Sequence, residues 1–134
     1  MTAYKLKIVT PDGVQYDGQA EQLSVRTTTG DVGILAGHID FVAPLGMGEA
    51  VVLVAGQKRR AACIGGMVSV VGGAVTLLPT TFEWAEEIDV QRAELSEARA
   101  QEVLQSKESS DSELILAKAR LKRALVRKSV ASRK

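Results

Sequence analysis

All twelve glycines and all three prolines of the chain lie before Phe82, and none follows it. Glycine and proline supply turns and interrupt helices. The chain therefore divides into a turn-rich first part and a second part that can be continuously helical.

Before Phe82, short apolar runs alternate with these breakers. Leu6 and Ile8 alternate with Lys5 and Lys7, the period of a strand with one buried face. Pro11-Asp12-Gly13 reads as a turn, because proline presets φ and glycine accepts positive φ. Leu23 and Val25 alternate with Ser24 and Arg26 in another strand. Residues 51–54 and 58–64 flank Ala55-Gly56-Gln57 as a hairpin. Residues 67–71 and 74–78 flank Gly72-Gly73, a two-residue connection suited to primed turns. Many short strands at regular turn spacing predict an all-β sandwich or barrel over residues 1–84. Aromatics make up only 4% of the chain, so the core must be built from Val, Ile, Leu and Ala.

Residues 85–134 are dominated by Ala, Glu, Arg, Lys and Leu, which is helix chemistry. The spacing predicts a first helix over 89–106 with Asp89 as N-cap. Polar residues 107–111 then break the pattern. Ser110 followed by Glu113 is a capping-box signature for a second helix. Its apolar stripe is Leu114, Ala117, Leu121 and Ala124; that of the first helix is Val90, Ala93, Ala100 and Leu104, interrupted by Glu97. Two alanine-rich stripes and a short loop predict an antiparallel hairpin with little buried surface, marginal alone and able to detach or open.

Net charge is +1, but residues 114–134 carry eight Lys/Arg and no Asp or Glu. This basic helix suits nucleic acid or an acidic protein surface. The second is preferred, because Trp84 and both phenylalanines lie outside the helix and stacking aromatics are missing from it. Cys63 is the only cysteine, which excludes an internal disulfide and suits a reducing compartment. The start lacks an apolar signal region and no run is long enough to span a bilayer, so the expectation is a soluble cytoplasmic protein.

Enzyme signatures are missing: there is no phosphate-loop motif and no Gly-x-Gly-x-x-Gly turn. His38 is the only histidine, and no His/Cys cluster offers metal ligation. Between Gly37 and Ile39, His38 reads as a polar loop residue; residues 30–35 read as a turn entering a strand. The sharper constellation lies in the hairpin. Folding it about residues 107–108 brings Asp89 level with Arg127 and Arg92 level with Arg123. Spacings of three and four place each intrahelical pair on one face. Three guanidiniums and a carboxylate form either an interhelical salt-bridge set or a site for phosphate oxygens with an amine or ribose hydroxyl.

Four segments recur in a recognisable order: Ile8-Val9-Thr10-Pro11-Asp12-Gly13, then Gly30-Asp31-Val32-Gly33-Ile34-Leu35-Ala36-Gly37-His38, then Ile64-Gly65-Gly66-Met67-Val68 with Val75-Thr76-Leu77-Leu78, and last Ile88-Asp89-Val90-Gln91-Arg92-Ala93. In this order and spacing the chain resembles the epsilon-subunit family of the bacterial rotary ATP synthase over essentially its whole length.

The resemblance implies a β-sandwich of about ten short strands followed by a two-helix regulatory domain. It implies a non-catalytic central-stalk subunit that couples proton translocation to ATP synthesis and inhibits ATP hydrolysis through its C-terminal helices. Implied partners are the gamma subunit and the c-ring for the sandwich, with Gly33 and His38 facing the ring, and the alpha/beta catalytic head for the basic helix. The location implied is peripheral, on the cytoplasmic face of the bacterial membrane, with membrane contact only through the complex and no nucleic acid bound. No cofactor or metal is required. ATP is implied as a regulatory ligand of the folded hairpin, on Ile88, Asp89, Arg92, Ala93, Arg123 and Arg127, with Mg²⁺ left open.

Departures from the family pattern are Ala36 and Asp40 in place of prolines, and Glu94 and Ser96 where relatives often have Lys or Ala. The alternatives from other classes are a free-standing ATP sensor and a basic-helix nucleic-acid adaptor.

Overall fold

The computed structural model describes residues 2–133. Strand β1 (Tyr4–Thr10) turns at residues 11–12 and pairs antiparallel with β2 (Gly13–Ala20). Its alternation is as expected: Tyr4, Leu6, Ile8 and Thr10 are buried, while Lys5 and Lys7 are exposed. Strand β3 (Gln22–Thr27) buries Leu23, Val25 and Thr27 and pairs with β4 (Gly30–Leu35). After β5 (Phe41–Pro44) come β6 (Met47–Val54), β7 (Gln57–Val71) and β8 (Ala74–Trp84). The β6–β7 turn, Ala55-Gly56, and the β7–β8 turn, Gly72-Gly73, have positive φ at both residues, as type I′ hairpins require.

The strand count differs from the expected ten, and the reason is physical. Residues 58–64 and 67–71, read as two strands, are one strand of 15 residues that bends at Gly65 (φ 68°) and Gly66 (φ 95°). A Cβ on Gly66 would lie 2.0 Å from the Leu78 carbonyl oxygen, so glycine there permits close backbone approach as well as the bend. Before the bend β7 pairs with β6, and after it with β5; β8 follows β7 along both stretches. One layer is thus β2, β1, the start of β8, the end of β7 and β5; the other is the end of β8, the start of β7, β6, β3 and β4. Eight continuous strands supply two five-stranded layers.

Between the layers sits one apolar core, in which Leu6, Ile8, Leu23, Ile34, Val52, Val68 and Leu77 are fully buried. It is aliphatic, as the composition demands, with Phe82 and Trp84 edge-to-face at one end, ring centroids 4.9 Å apart. The Tyr4 hydroxyl donates to the Ile34 carbonyl at 2.8 Å, tying β1 to β4 across the sandwich.

A 3-10 turn (Ala85–Glu87) leads into α1 (Val90–Gln105), which is followed by α2 (Asp111–Ala131). The Asp89 carboxylate accepts the Arg92 backbone N–H at 3.0 Å, and Ser110 with Glu113 forms the full capping box. Ala93 and Ala100 of α1 meet Ala117 and Ala124 of α2 as the buried centre of the hairpin. Val90, expected in that stripe, is exposed: it lies one heptad before Glu97, on the flank of the contact face. Glu97 there accepts from Lys128 at 2.8 Å.

Docking of the hairpin on the sandwich is narrow. Val130 and Ala131 at the end of α2 share a small buried cluster with Ala62, Ala85 and Ile88, and Val126 packs against it. Ion pairs flank this cluster: Arg127 with Glu83 at 2.5 Å and Arg133 with Glu49 at 3.3 Å. Glu49 also accepts from Arg60 at 2.8 Å, all through Oε1, and its Oε2 is buried without a partner.

Candidate functional site

At the seam between hairpin and sandwich lies a cavity of about 590 Å³, within the usual range for a small-molecule site. The first turn of α1 lines it with Asp89, Arg92 and Ala93, followed by Ser96; α2 contributes Arg120, Arg123 and Arg127. The sandwich wall adds Thr81, Phe82 and Glu83 from β8 and Asp12 from the β1–β2 turn. The antiparallel packing therefore brings Asp89, Arg92, Ala93, Arg123 and Arg127 to one cavity.

Ile88 is not among the lining residues; its side chain is 6% exposed and packs in the docking cluster. It precedes the N-cap, the position from which an apolar side chain staples a helix start.

Six lining residues were not assigned to the site from sequence, and four of them for one reason: Asp12, Thr81, Phe82 and Glu83 come from the sandwich, and only the tertiary fold puts them beside the arginines. Ser96 and Arg120 were missed on the helices, although Arg120 precedes Arg123 by about one helical turn on the same face, a spacing that could have found it.

Four guanidiniums face three carboxylates here, and their commitments differ. Asp89 is engaged in capping α1 through one oxygen. Arg127 donates from Nε to Glu83 Oε1 at 2.5 Å. Arg92, Arg120 and Arg123 form no ion pair among the described residues. The Thr81 hydroxyl is buried and lacks a hydrogen-bond partner. Unpaired guanidinium forks, a free hydroxyl and small Ala93 suit a phosphate-bearing ligand with a flat apolar portion.

Gly33 and His38 lie elsewhere, at the β4 end of the sandwich. Gly33 pairs with Ser24, and a Cβ there would meet nothing closer than 3.8 Å. His38 is half-buried, its ring 5.0 Å from that of Phe41, and its Nδ1 is 2.7 Å from the Ile39 carbonyl oxygen. Beside it Leu35 and Ile39 are 51% and 78% exposed. On the outer face of the layer containing β5, Pro44, Met67 and Leu78 stand in one cross-strand row, all exposed.

Cys63 is no nucleophile: burial pushes its thiol up to about 12. No group of His, Cys, Asp and Glu suited to a metal occurs among the described residues. A second cleft of about 500 Å³ separates Arg26 from Lys122, and Arg26 is paired there with Asp31 at 2.8 Å.

Residues 3–85 match the β-sandwich domain family of the ATP synthase delta/epsilon chain, and residues 86–132 match the long α-helix domain family of the same chain. The ATP synthase epsilon chain of Ruminococcus albus is 44% identical over 135 residues, with full coverage of both chains. That of Bacillus licheniformis is 44% identical, covering 98% of this chain and 99% of its own. That of Bacillus subtilis is 46% identical over 114 residues, 85% of this chain and 86% of its own. Among solved structures, a chain of the Euglena gracilis mitochondrial ATP synthase superposes with a TM-score of 0.85 at 23% identity, covering all of this chain and 83% of that one. A chain of the Tetrahymena thermophila mitochondrial ATP synthase central stalk and c-ring gives 0.67 at 12% identity, covering 95% of both.

Proposed function

The chain belongs to the delta/epsilon chain family of ATP synthase, as a non-catalytic subunit of the epsilon type, and from that premise we propose how its two parts divide the work. The sandwich is the rotor attachment. Its exposed row of Pro44, Met67 and Leu78 suits the gamma subunit, and the apolar tip around Gly33, His38 and Ile39 suits the c-ring. Through these contacts it couples proton translocation to ATP synthesis. No helix among the described residues is long and apolar enough to cross a membrane. Attachment at the cytoplasmic face of the membrane therefore runs through the partner subunits.

The hairpin is the brake. Extended along gamma, its basic second helix meets acidic segments of the alpha/beta head and slows ATP hydrolysis. Folded on the sandwich, it binds ATP and is held out of the way. The observation that supports this most is the position of the arginine cavity: it lies on the seam that must open for the hairpin to extend. A ligand there binds only the folded form and shifts the population toward it. At about 100 times its dissociation constant it would stabilise that form by about 2.7 kcal/mol.

Calorimetric titration of the full chain with ATP tests the brake. Arg92→Ala and Arg123→Ala should each weaken binding at least about tenfold, the loss of one charge-assisted phosphate contact. Absence of binding, or indifference to both changes, overturns the ATP-gated reading. Failure of the chain to co-purify with gamma overturns the rotor attachment.

A further inference from the structure

We propose that Glu49 opposes docking of the hairpin: closing α2 onto the sandwich strips water from one of its carboxylate oxygens and supplies that oxygen with no partner. Glu49 pairs with Ala62 across β6 and β7, and Ala62 pairs with Glu83 across β7 and β8, so the three stand in one cross-strand row. The end of α2 covers the middle of that row, where Val130 and Ala131 share a buried cluster with Ala62. Arg133 reaches Glu49 from the same end of the helix. The Glu49 side chain is 18% exposed there; its Oε1 takes both Arg60 and Arg133, and its Oε2 is buried without a hydrogen-bond partner. Buried polar atoms are rarely left so, and this one sits at the joint that has to open.

The contacts of Oε1 divide by state. Arg60 is on β7, in the same layer as Glu49, so their pair at 2.8 Å is made whether α2 is docked or lifted. Only Arg133 comes with the helix, at 3.3 Å and with its side chain 57% exposed. An ion pair of that exposure favours docking by at most about fivefold. Burying an acceptor without a partner counts against docking by about fivefold to about a hundredfold, and by more when the group is charged. The balance falls against docking, by about tenfold. With α2 lifted, the row faces water and both oxygens are hydrated. Glu49 thus keeps a joint of few, small apolar residues near its balance point, where a modest bias toward either state decides which is populated.

Native-state hydrogen exchange of the full chain, followed by mass spectrometry, reads this directly. Glu49→Met keeps the bulk and removes both the charge and the orphaned oxygen. Peptides from the last turns of α2 should then exchange about tenfold slower, while peptides from β1 keep wild-type rates. Glu49→Gln leaves a neutral polar atom in place of a charged one; it should slow the same peptides about threefold and serves if the Met variant does not fold. Arg133→Gln should speed them by no more than about fivefold, and in the Glu49→Met background by less than about twofold.

Opposition to docking is refuted if both Glu49 variants leave exchange in α2 unchanged or speed it, since the carboxylate would then hold the hairpin in place. An Arg133→Gln acceleration undiminished in the Met background refutes it as well, because the partner that arrives with the helix would lie elsewhere. In the assembled complex, Glu49→Met should also raise ATP hydrolysis, since the brake proposed above stays folded for more of the time. That readout rests on the brake, and the exchange measurement does not. Slower exchange with unchanged hydrolysis would remove the brake and leave the role of Glu49 standing.

Discussion

Trimming Val130 to alanine isolates the joint on which the regulatory reading depends. Val130 is 1% exposed and belongs to a cluster of only five buried residues holding the hairpin to the sandwich. The change removes two methyl groups. At about 0.8 kcal/mol each for lost burial, plus a small cavity term, the docked state loses about 2 kcal/mol. Neither layer of the sandwich depends on this side chain, so the loss should fall on docking alone. Native-state hydrogen exchange followed by mass spectrometry can separate the two. Peptides from the last turns of α2 should exchange about 30-fold faster, the equivalent of that free energy. Peptides from β3 and β6 should keep wild-type protection. In the assembled complex the same variant should inhibit ATP hydrolysis more strongly, since the folded form has lost ground to the extended one. Equal acceleration in α2 and in the sandwich would refute the reasoning, because hairpin and sandwich would then open as one unit.

Gly66→Ala should destabilise the sandwich by about 3–5 kcal/mol in urea denaturation, combining left-handed backbone cost with a backbone collision. Gly37→Ala, at φ 80° with nothing within 4 Å of the added Cβ, should cost only about 1 kcal/mol; equal losses would mean that Gly66 is needed for φ alone. Burial raises Cys63 from 9.0 to about 12 and Tyr4 from 10.0 to about 12. Both are acids held neutral in the fold, so the stability they contribute is present below their unfolded values and lost as pH rises through the folded ones. The denaturation midpoint should therefore fall between about pH 9 and 12, and in Cys63→Ala the fall should begin nearer pH 10. An unchanged onset in that variant would show that Cys63 ionises without cost.

The division of the chain and its capping were legible because local chemistry determines them. The boundary near Phe82 followed from where glycine and proline stop, and Asp89, Ser110 and Glu113 cap as their types predict. Strand continuity was not legible. Gly65-Gly66 and Gly72-Gly73 look alike in sequence, yet the first pair bends a strand and the second reverses it. What decides is whether the next residues find a new partner beside them, a tertiary matter. The helical half of the cavity could be placed by counting residues back from the loop. Its other half, Asp12, Thr81 and Glu83, could not, because no local rule links a β-turn near the start to a strand some seventy residues later. Ile88 was assigned to the ligand on resemblance, and its apolar side chain packs in the joint.

The shared ownership of β7 and β8 has a mechanical meaning. In a sandwich whose layers are joined only by loops, the faces slide when one is pulled, since side-chain packing resists shear weakly. Here two adjacent strands run through both layers and stay paired on either side of the glycine bend, from Ala61–Trp84 to Val71–Ala74, with the pairing interrupted only at Gly65. Sliding one face over the other would have to tear the paired strands apart on either side of that bend. A twist applied at one face is therefore delivered to the opposite face with little slack, while the hairpin, held at its open end, is the one part free to lag behind.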